Sequence, residues 1–283
     1  MTTVVPRVAP TLDMERALAG KGYSLVIGFD EVGRGSLAGP VMVGAAALLV
    51  RDLDDWEVPS GVADSKMLTE VRRESLLEPL QAWTAAWAVG SASAPEIDEW
   101  GITYALGVAS IRAINEIETL LTTGTHTSLG VDMPTALAMG KRGIDPEWHG
   151  TIAALGGEEW ELTLGVVPDE PILDRGDLRV AGILDGPNDY ITPAMNSFDA
   201  PELLEPITMT TKVKGDRHCA TVASAAVISK VLRDRLIEEL AAAHPEWEAY
   251  GWASNKGYGS AAHRKALVDL GVTPYHRTTW HLV

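Results

Sequence analysis

The sequence predicts an α/β domain, and three observations carry that prediction. Short apolar runs of strand length alternate with segments of helical periodicity. Apolar residues make up 46% of the 283 residues, enough for a sizeable core. The first apolar run, Leu25 to Phe29, leads into two adjacent acids, Asp30 and Glu31, and a glycine-rich turn, Gly33-Arg34-Gly35. Functional sites gather at such strand ends in α/β sheets.

The elements follow in order. Leu25–Phe29 reads as a buried strand. Adjacent strand residues face opposite ways, so Asp30 and Glu31 share one site if the strand ends near Asp30 and Glu31 belongs to the loop. Residues 41–50 read as a second strand. Asp64 or Ser65 is placed to cap a helix through Leu68, Leu76, Leu77 and Leu80. Trp83 to Gly90 reads as a third strand. Pro95 opens a turn, and Ile102, Ala105, Leu106, Ala109, Ala113, Ile117 and Leu120 recur at helical spacing. Residues 122–180 break the rhythm with Gly, Thr and Pro and with 10 acids against 4 bases, and read as an insertion. Within it, Thr151–Leu155 and Trp160–Val167 are placed to form a hairpin. Val180–Leu184 resumes the core as a strand ending in Asp185, and Pro187–Glu205 is irregular. Ile207–Val213 reads as a strand, followed by a basic turn ending at Asp216. Ala220–Ala243 reads as a helix whose small residues permit close packing on a sheet. Ser260 caps a last helix that stops before Gly271.

Composition narrows the function. The net charge of −16 argues against a protein that coats nucleic acid by bulk electrostatics. The charge is uneven. Residues 1–206 hold 13 Lys and Arg against 32 Asp and Glu, whereas residues 207–283 hold 10 against 7. Phosphate contacts are therefore expected from the C-terminal part. A single cysteine, Cys219, excludes an internal disulfide and suits a reducing compartment. No apolar run reaches the length of a membrane span, and the expected location is cytoplasmic. The seven histidines show no zinc spacing, and neither a nucleophile elbow nor a P-loop is present.

The acids carry the chemistry. Asp30, Asp185 and Asp216 each follow an apolar strand, and with Glu31 they form a set suited to hard divalent cations. Taken singly, each acid is more often a helix or turn cap. Arg34 suits a contact with a phosphate or ribose, or an ion pair with Glu31. Tyr258, between glycines, is either a stacking platform or half buried.

These motifs resemble ribonuclease HII. Asp30-Glu31 before Gly33-Arg34-Gly35, with Ala38-Gly39-Pro40-Val41 after it, resembles the family's opening signature. Asp64-Ser-Lys-Met-Leu68, Ile183-Leu-Asp-Gly186, Lys214-Gly-Asp216, the run Ala223–Asp234, Asn255–Gly259, Thr273–Arg277 and Trp280 resemble its other segments, in order, over roughly 22–121 and 180–283. The resemblance implies a ribonuclease-H-like mixed sheet flanked by helices. Residues 1–243 would form the catalytic domain, and 244–283 a helical extension packed on it. It implies endonucleolytic hydrolysis of RNA in RNA–DNA hybrids and 5′ of single ribonucleotides in duplex DNA, leaving 3′-hydroxyl and 5′-phosphate ends. Asp30, Glu31, Asp185 and Asp216 would hold Mg²⁺ or Mn²⁺. Gly33, Arg34 and Gly35 would read the 2′-hydroxyl, and Tyr258 would pack on the next nucleotide. Lys66, Lys212, Lys214, Lys256 and Arg277 are candidate phosphate contacts, and Asp234 is assigned to salt bridges. A monomer without membrane contact is expected. A silent hybrid-binding module and another nuclease of the same broad fold are the alternatives. Gly101-Ile102-Thr103 departs from the family's usual Asn-Ile pair, which leaves that DNA contact in doubt.

Overall fold

The computed structural model describes residues 9–124, 151–155 (main chain only), 171–197 and 200–283. Its elements run α1 (Asp13–Ala19), β1 (Leu25–Val32), β2 (Val41–Leu49), α2 (Glu70–Trp83), β3 (Ala86–Ala92), α3 (Ala94–Trp100), α4 (Ile102–Thr123), β4 (Thr151–Leu155), β5 (Val180–Asp185), α5 (Ile191–Met195), β6 (Thr208–Lys212), α6 (Gly215–His218), α7 (Ala220–Ala243), α8 (Trp252–Asn255) and α9 (Ala261–Leu270). Among the described residues the strands form one mixed sheet in the order β4-β3-β2-β1-β5-β6. The first four pair antiparallel, β5 pairs with β1 in parallel, and β6 pairs with β5 in parallel.

Strand alternation divides the core in two. Leu25, Ile27 and Phe29 of β1 and Val41, Val43, Ala45 and Ala47 of β2 meet Leu106, Ala109, Ala113 and Ile117 of α4. On the opposite face lie Met42 of β2, α2, the α7 residues Val227, Ile228, Val231 and Leu232, and the C-terminal residues Tyr250, Trp252, Leu267 and Tyr275. The C-terminal segment therefore shares a core with the sheet. Helix α7 lies almost on the main chain of β1 and β2. A Cβ added at Gly28 would fall 2.3 Å from the Val222 nitrogen, and one at Gly44 2.4 Å from the Ala225 carbonyl. The small residues at the start of α7 are what permit this approach. Glu15 of α1 is fully buried and accepts from the Thr221 amide and hydroxyl, which pins the N-terminal helix to α7.

Several boundaries differ from the sequence expectation. Strand β1 does not end at Asp30, because β2 keeps pairing with it as far as Val32↔Met42. Glu31 is thus a strand residue facing away from Asp30, contrary to the loop position expected for a shared site, although its charge still reaches Asp30 around the strand end. Asp64 caps only a single turn, Ser65–Met67, and α2 starts at Glu70 with Thr69 as its cap. Trp83 closes α2 and does not open β3. Ser93 and Glu96 form a reciprocal capping box that starts the extra helix α3. Thr151–Leu155 pairs with β3 as the edge strand of the main sheet, so part of the expected insertion is core. Its expected partner, Trp160–Val167, lies outside the described residues. Helices α7 and α9 keep their expected bounds, and the Ser260 hydroxyl caps α9 by accepting from the His263 amide.

Replacing Gly28 by Ala is expected to cost about 1–3 kcal/mol, because neither the strand nor the α7 main chain has room to yield. Urea unfolding should show a lower midpoint at unchanged slope. Gly20→Ala, where the nearest atoms lie at 3.7 Å, should show none.

Candidate active site

The site begins with strand register. The parallel ladder pairs Phe29 with Leu184, and one step further it sets Asp30 beside Asp185 on the α7 side of the sheet. Glu31, the next residue of β1, faces the α4 side at the strand end. It accepts from the Tyr190 hydroxyl at 3.2 Å and from Arg34 Nη1 at 3.2 Å. Asp185 Oδ1 accepts from the Gly215 amide at 2.6 Å, which draws the short helix α6 onto β5. Asp216, buried in that helix, shares a hydrogen bond with Asp64. Asp64 in turn takes both the Nε and Nη2 of Arg217, at 3.0 and 2.8 Å, and caps the Lys66 amide.

Electrostatics bind these groups into one cluster. Burial pushes the Asp30 carboxyl well above its ordinary range, and the charges of Glu31, Asp185 and Asp216 push it further. Burial and the charges of Asp64 and Asp185 raise Asp216 to about 6. Burial also opposes the charge on Asp64, but the Lys66 amide and Arg217 outweigh it and hold that carboxyl low. For Lys66, burial favours the neutral amine. Asp30, Asp216, Asp64 and Asp185 override this and keep the ammonium charged. Lys66 is therefore a charged ammonium facing the acids. Tyr190, buried beside Glu31 and Asp30, is held in its protonated form.

Among the described residues no three His, Cys, Asp or Glu side chains are already arranged to hold a metal ion. Asp185 is engaged with Gly215, Asp216 with Asp64, and Glu31 with Arg34 and Tyr190. The chemistry of the set still fits a hard cation. Crowded, desolvated carboxylates are unfavourable without a counter-charge, and oxygen donors suit Mg²⁺ or Mn²⁺.

The loop after β1 is gripped from both sides by remote chain. Leu37 and Ala38 donate to the Gly257 carbonyl and Gly39 to Tyr275, while the Arg277 amide donates to Leu37. Inside the loop lie two buried guanidinium groups. Arg233 donates to the Pro40 and Lys256 carbonyls, each at 3.0 Å, and to the Ser36 hydroxyl at 2.8 Å. Gly33, at φ 78°, leaves its space to this arginine, whose Nε would stand 2.1 Å from an added Cβ. Arg277 donates to the carbonyls of Gly33 at 2.7 Å, Arg34 at 2.9 Å and Gly39 at 3.1 Å, and it lies over the Trp280 ring. Burial draws its pKa down to about 9, which leaves it charged at neutral pH.

Two expected phosphate contacts are therefore corrected. Arg277 is buried and spent on carbonyls, and Lys256 is turned onto Glu238 and the Ala253 carbonyl. Lys66 and Lys214 are exposed. Asp234 does form the expected salt bridge, with Lys230 at 2.7 Å. The Tyr258 ring is partly exposed and stands 4.0 Å from a Cβ built on Gly35, and its hydroxyl accepts from the Gly33 amide at 3.3 Å. His263 fixes its main chain through Nδ1, at 2.9 Å from the Tyr258 carbonyl. Sequence reasoning missed the roles of Tyr190, Arg233 and Arg277, and it read Asp64 as a cap alone. No local signal marks Tyr190, and although both arginines stand in segments that resemble the family, nothing local marks them as buried against the loop carbonyls.

Comparison with known proteins places this geometry in a family. The Ribonuclease HII family model matches residues 27–125 and 189–283, a span that leaves out Asp185. A ribonuclease HII from Streptomyces avermitilis is 34% identical over 277 residues, covering 98% of this chain and 85% of its own length. The chain belongs to the ribonuclease HII family. It is a metal-dependent endoribonuclease that acts on RNA in RNA–DNA hybrids. A Paracoccus denitrificans ribonuclease HII is 35% identical, covering 96% of this chain and 91% of its own. The fold is shared with the ribonuclease H2 of Pyrococcus horikoshii, at a TM-score of 0.50, 21% identity and coverage of 91% and 94%. No helix among the described residues is long and apolar enough to cross a membrane.

The raised Asp30 carboxyl makes a prediction with a definite sign. A carboxyl held above its ordinary 3.8 favours the folded state when protonated, and that stability is lost as pH rises through its folded value. In EDTA, Asp30→Asn should therefore be more stable than the parent by ~1–2 kcal/mol at pH 8, a typical gain for relieving a strained active-site group. Urea unfolding should show the gap shrinking as pH falls. A variant less stable at pH 8 would contradict the crowding.

Proposed function

We propose that Asp30, Glu31, Asp185 and Asp216 hold Mg²⁺ or Mn²⁺, and that the loop Gly33-Arg34-Gly35 and Tyr258 select a ribonucleotide beside them. The observation that carries this reading is the adjacency of Asp30 and Asp185 on neighbouring strand ends, with Asp216 and Glu31 within electrostatic reach. When bound, divalent cations supply positive charge to the phosphodiester and acidify a water for attack. The rest falls to the chain. Asp216 would complete the ligand set, with Arg217 holding Asp64 beside it. Lys66 is held charged beside the acids, where a scissile phosphate would lie. Tyr190 and Arg34 orient Glu31. Tyr258 offers a ring face at the edge of the loop for the sugar of the next nucleotide. Lys214, exposed next to Asp216, suits a flanking phosphate.

The substrates are RNA–DNA hybrids and duplex DNA carrying single ribonucleotides, cut on the 5′ side of the ribose to leave 3′-hydroxyl and 5′-phosphate ends. The cytoplasm is the expected compartment, in keeping with the one cysteine, Cys219, being a free buried thiol.

Three duplexes test the assignment in Mg²⁺ or Mn²⁺: all-DNA, one embedded ribonucleotide, and a full hybrid. The parent should cut the second and third and spare the first, and EDTA should stop it. Asp30→Asn should lose about 10³-fold or more in kcat. Equal cutting of the all-DNA duplex would remove the role given to the loop. Retained activity in the variant would remove the metal role of Asp30.

A further inference from the structure

Arg277 holds two successive peptide units of the ribose-reading loop from one side. Its Nη2 takes the Gly33 carbonyl and its Nη1 the Arg34 carbonyl. No peptide bond among the described residues is cis. In a trans peptide the N–H points opposite to the C=O. The amides that follow these carbonyls, those of Arg34 and Gly35, therefore face the outer side of the loop. Both residues are exposed, and neither amide has an acceptor among the described residues. The neighbouring amides are all engaged. Gly33 donates to the Tyr258 hydroxyl, Ser36 to the Gly33 carbonyl, Leu37 and Ala38 to Gly257, and Gly39 to Tyr275. Two adjacent free donors are thus left between Tyr258 and the strand end that carries Asp30 and Glu31.

Resting on the reading of this loop as the ribose reader, we propose that Arg277 is a positioning residue for ribonucleotide selection. Its fork presets the Arg34 and Gly35 amides as donors to the 2′-hydroxyl oxygen. The side chain never touches the substrate. A guanidinium suits this because one planar group reaches the carbonyls of residues 33, 34 and 39 together, which the point charge of a lysine does not. Among the described residues no carboxylate pairs with Arg277, and its donors go to these carbonyls. Arg233 is the natural comparator. It is equally buried and grips the same loop, but at Ser36, Ala38 and Pro40.

The test compares Arg277→Lys with Arg233→Lys, each with its melting temperature recorded. Arg277→Lys should lower kcat/KM on the single-ribonucleotide duplex by about tenfold or more, the scale of losing charge-assisted hydrogen bonds that set the donors. Its inhibition constant for the uncleaved all-DNA duplex should stay within about threefold of the parent, well under that loss. Arg233→Lys should not separate the two readouts. If Arg277→Lys lowers both equally, or neither, the inference fails. A second measurement covers a variant that does not fold. In the ¹⁵N-labelled full chain carrying Asp30→Asn, the Arg34 and Gly35 amide resonances should shift with the single-ribonucleotide duplex and not with the all-DNA duplex. Absence of that difference overturns the proposal. A parent enzyme that cuts all-DNA duplex equally would instead sink the reading of the loop on which it rests.

Discussion

Carboxylates crowded at the ends of two buried, neighbouring strands are the constraint on which this molecule turns. Asp30 and Asp185 are brought together by the β1–β5 register, and the sheet cannot slip to relieve them. A one-residue slip would turn every apolar side chain of β1 to the wrong core. The surroundings instead occupy the acids one by one. The Gly215 amide takes Asp185, Asp64 takes Asp216, and Tyr190 with Arg34 takes Glu31. Asp30 is left with the least relief, and burial, with the neighbouring acids, holds its carboxyl well above the ordinary range. A cation would reverse this balance, since it makes the same crowding favourable.

The loop proposed to read the ribonucleotide obeys a different physics. The loop after β1 has few side chains to pack, so remote segments fix its main chain. Residues 256–258 and 275–277 lie along it, and Arg233 and Arg277 fill its inner side. Asp98 at α3 ties down the tail beyond, accepting from the amides and hydroxyls of Thr278 and Thr279. Behind Tyr258, His263 and His276 form a buried neutral relay, with burial first and the neighbouring His263 second drawing His276 down to about 4. The C-terminal segment therefore belongs to the site as much as to the core. Crowded carboxylates mark the candidate metal site at the end of β1, and buried guanidinium groups hold the main chain of the loop that follows it.

Much of this was legible in the chain itself. The acids after apolar runs and the glycines around Arg34 are local signals that marked the candidate site, and the small residues of α7 predicted its close approach to the sheet. Helix α3 was legible too, because Ser93 and Glu96 spell a capping box that the turn at Pro95 masked. The extent of β1 was not, since only pairing with β2 carries the strand through Glu31. The fate of Arg277 and Lys256 was likewise hidden. A basic residue near a predicted site looks like a phosphate contact until the fold buries it against carbonyls or a glutamate, and burial is a property of the whole structure. Tyr190 gave no hint, because its partner Glu31 lies 159 residues away.

The most direct test of the account is a calorimetric titration of metal-free protein with Mn²⁺ at neutral pH, in two buffers of different ionisation enthalpy. Carboxylates must be deprotonated to ligate, so a crowded site releases protons when the ion binds. The account predicts measurable proton release by the parent protein, with both the binding and the release reduced in Asp30→Asn. Binding without proton release, or a variant indistinguishable from the parent, would contradict it.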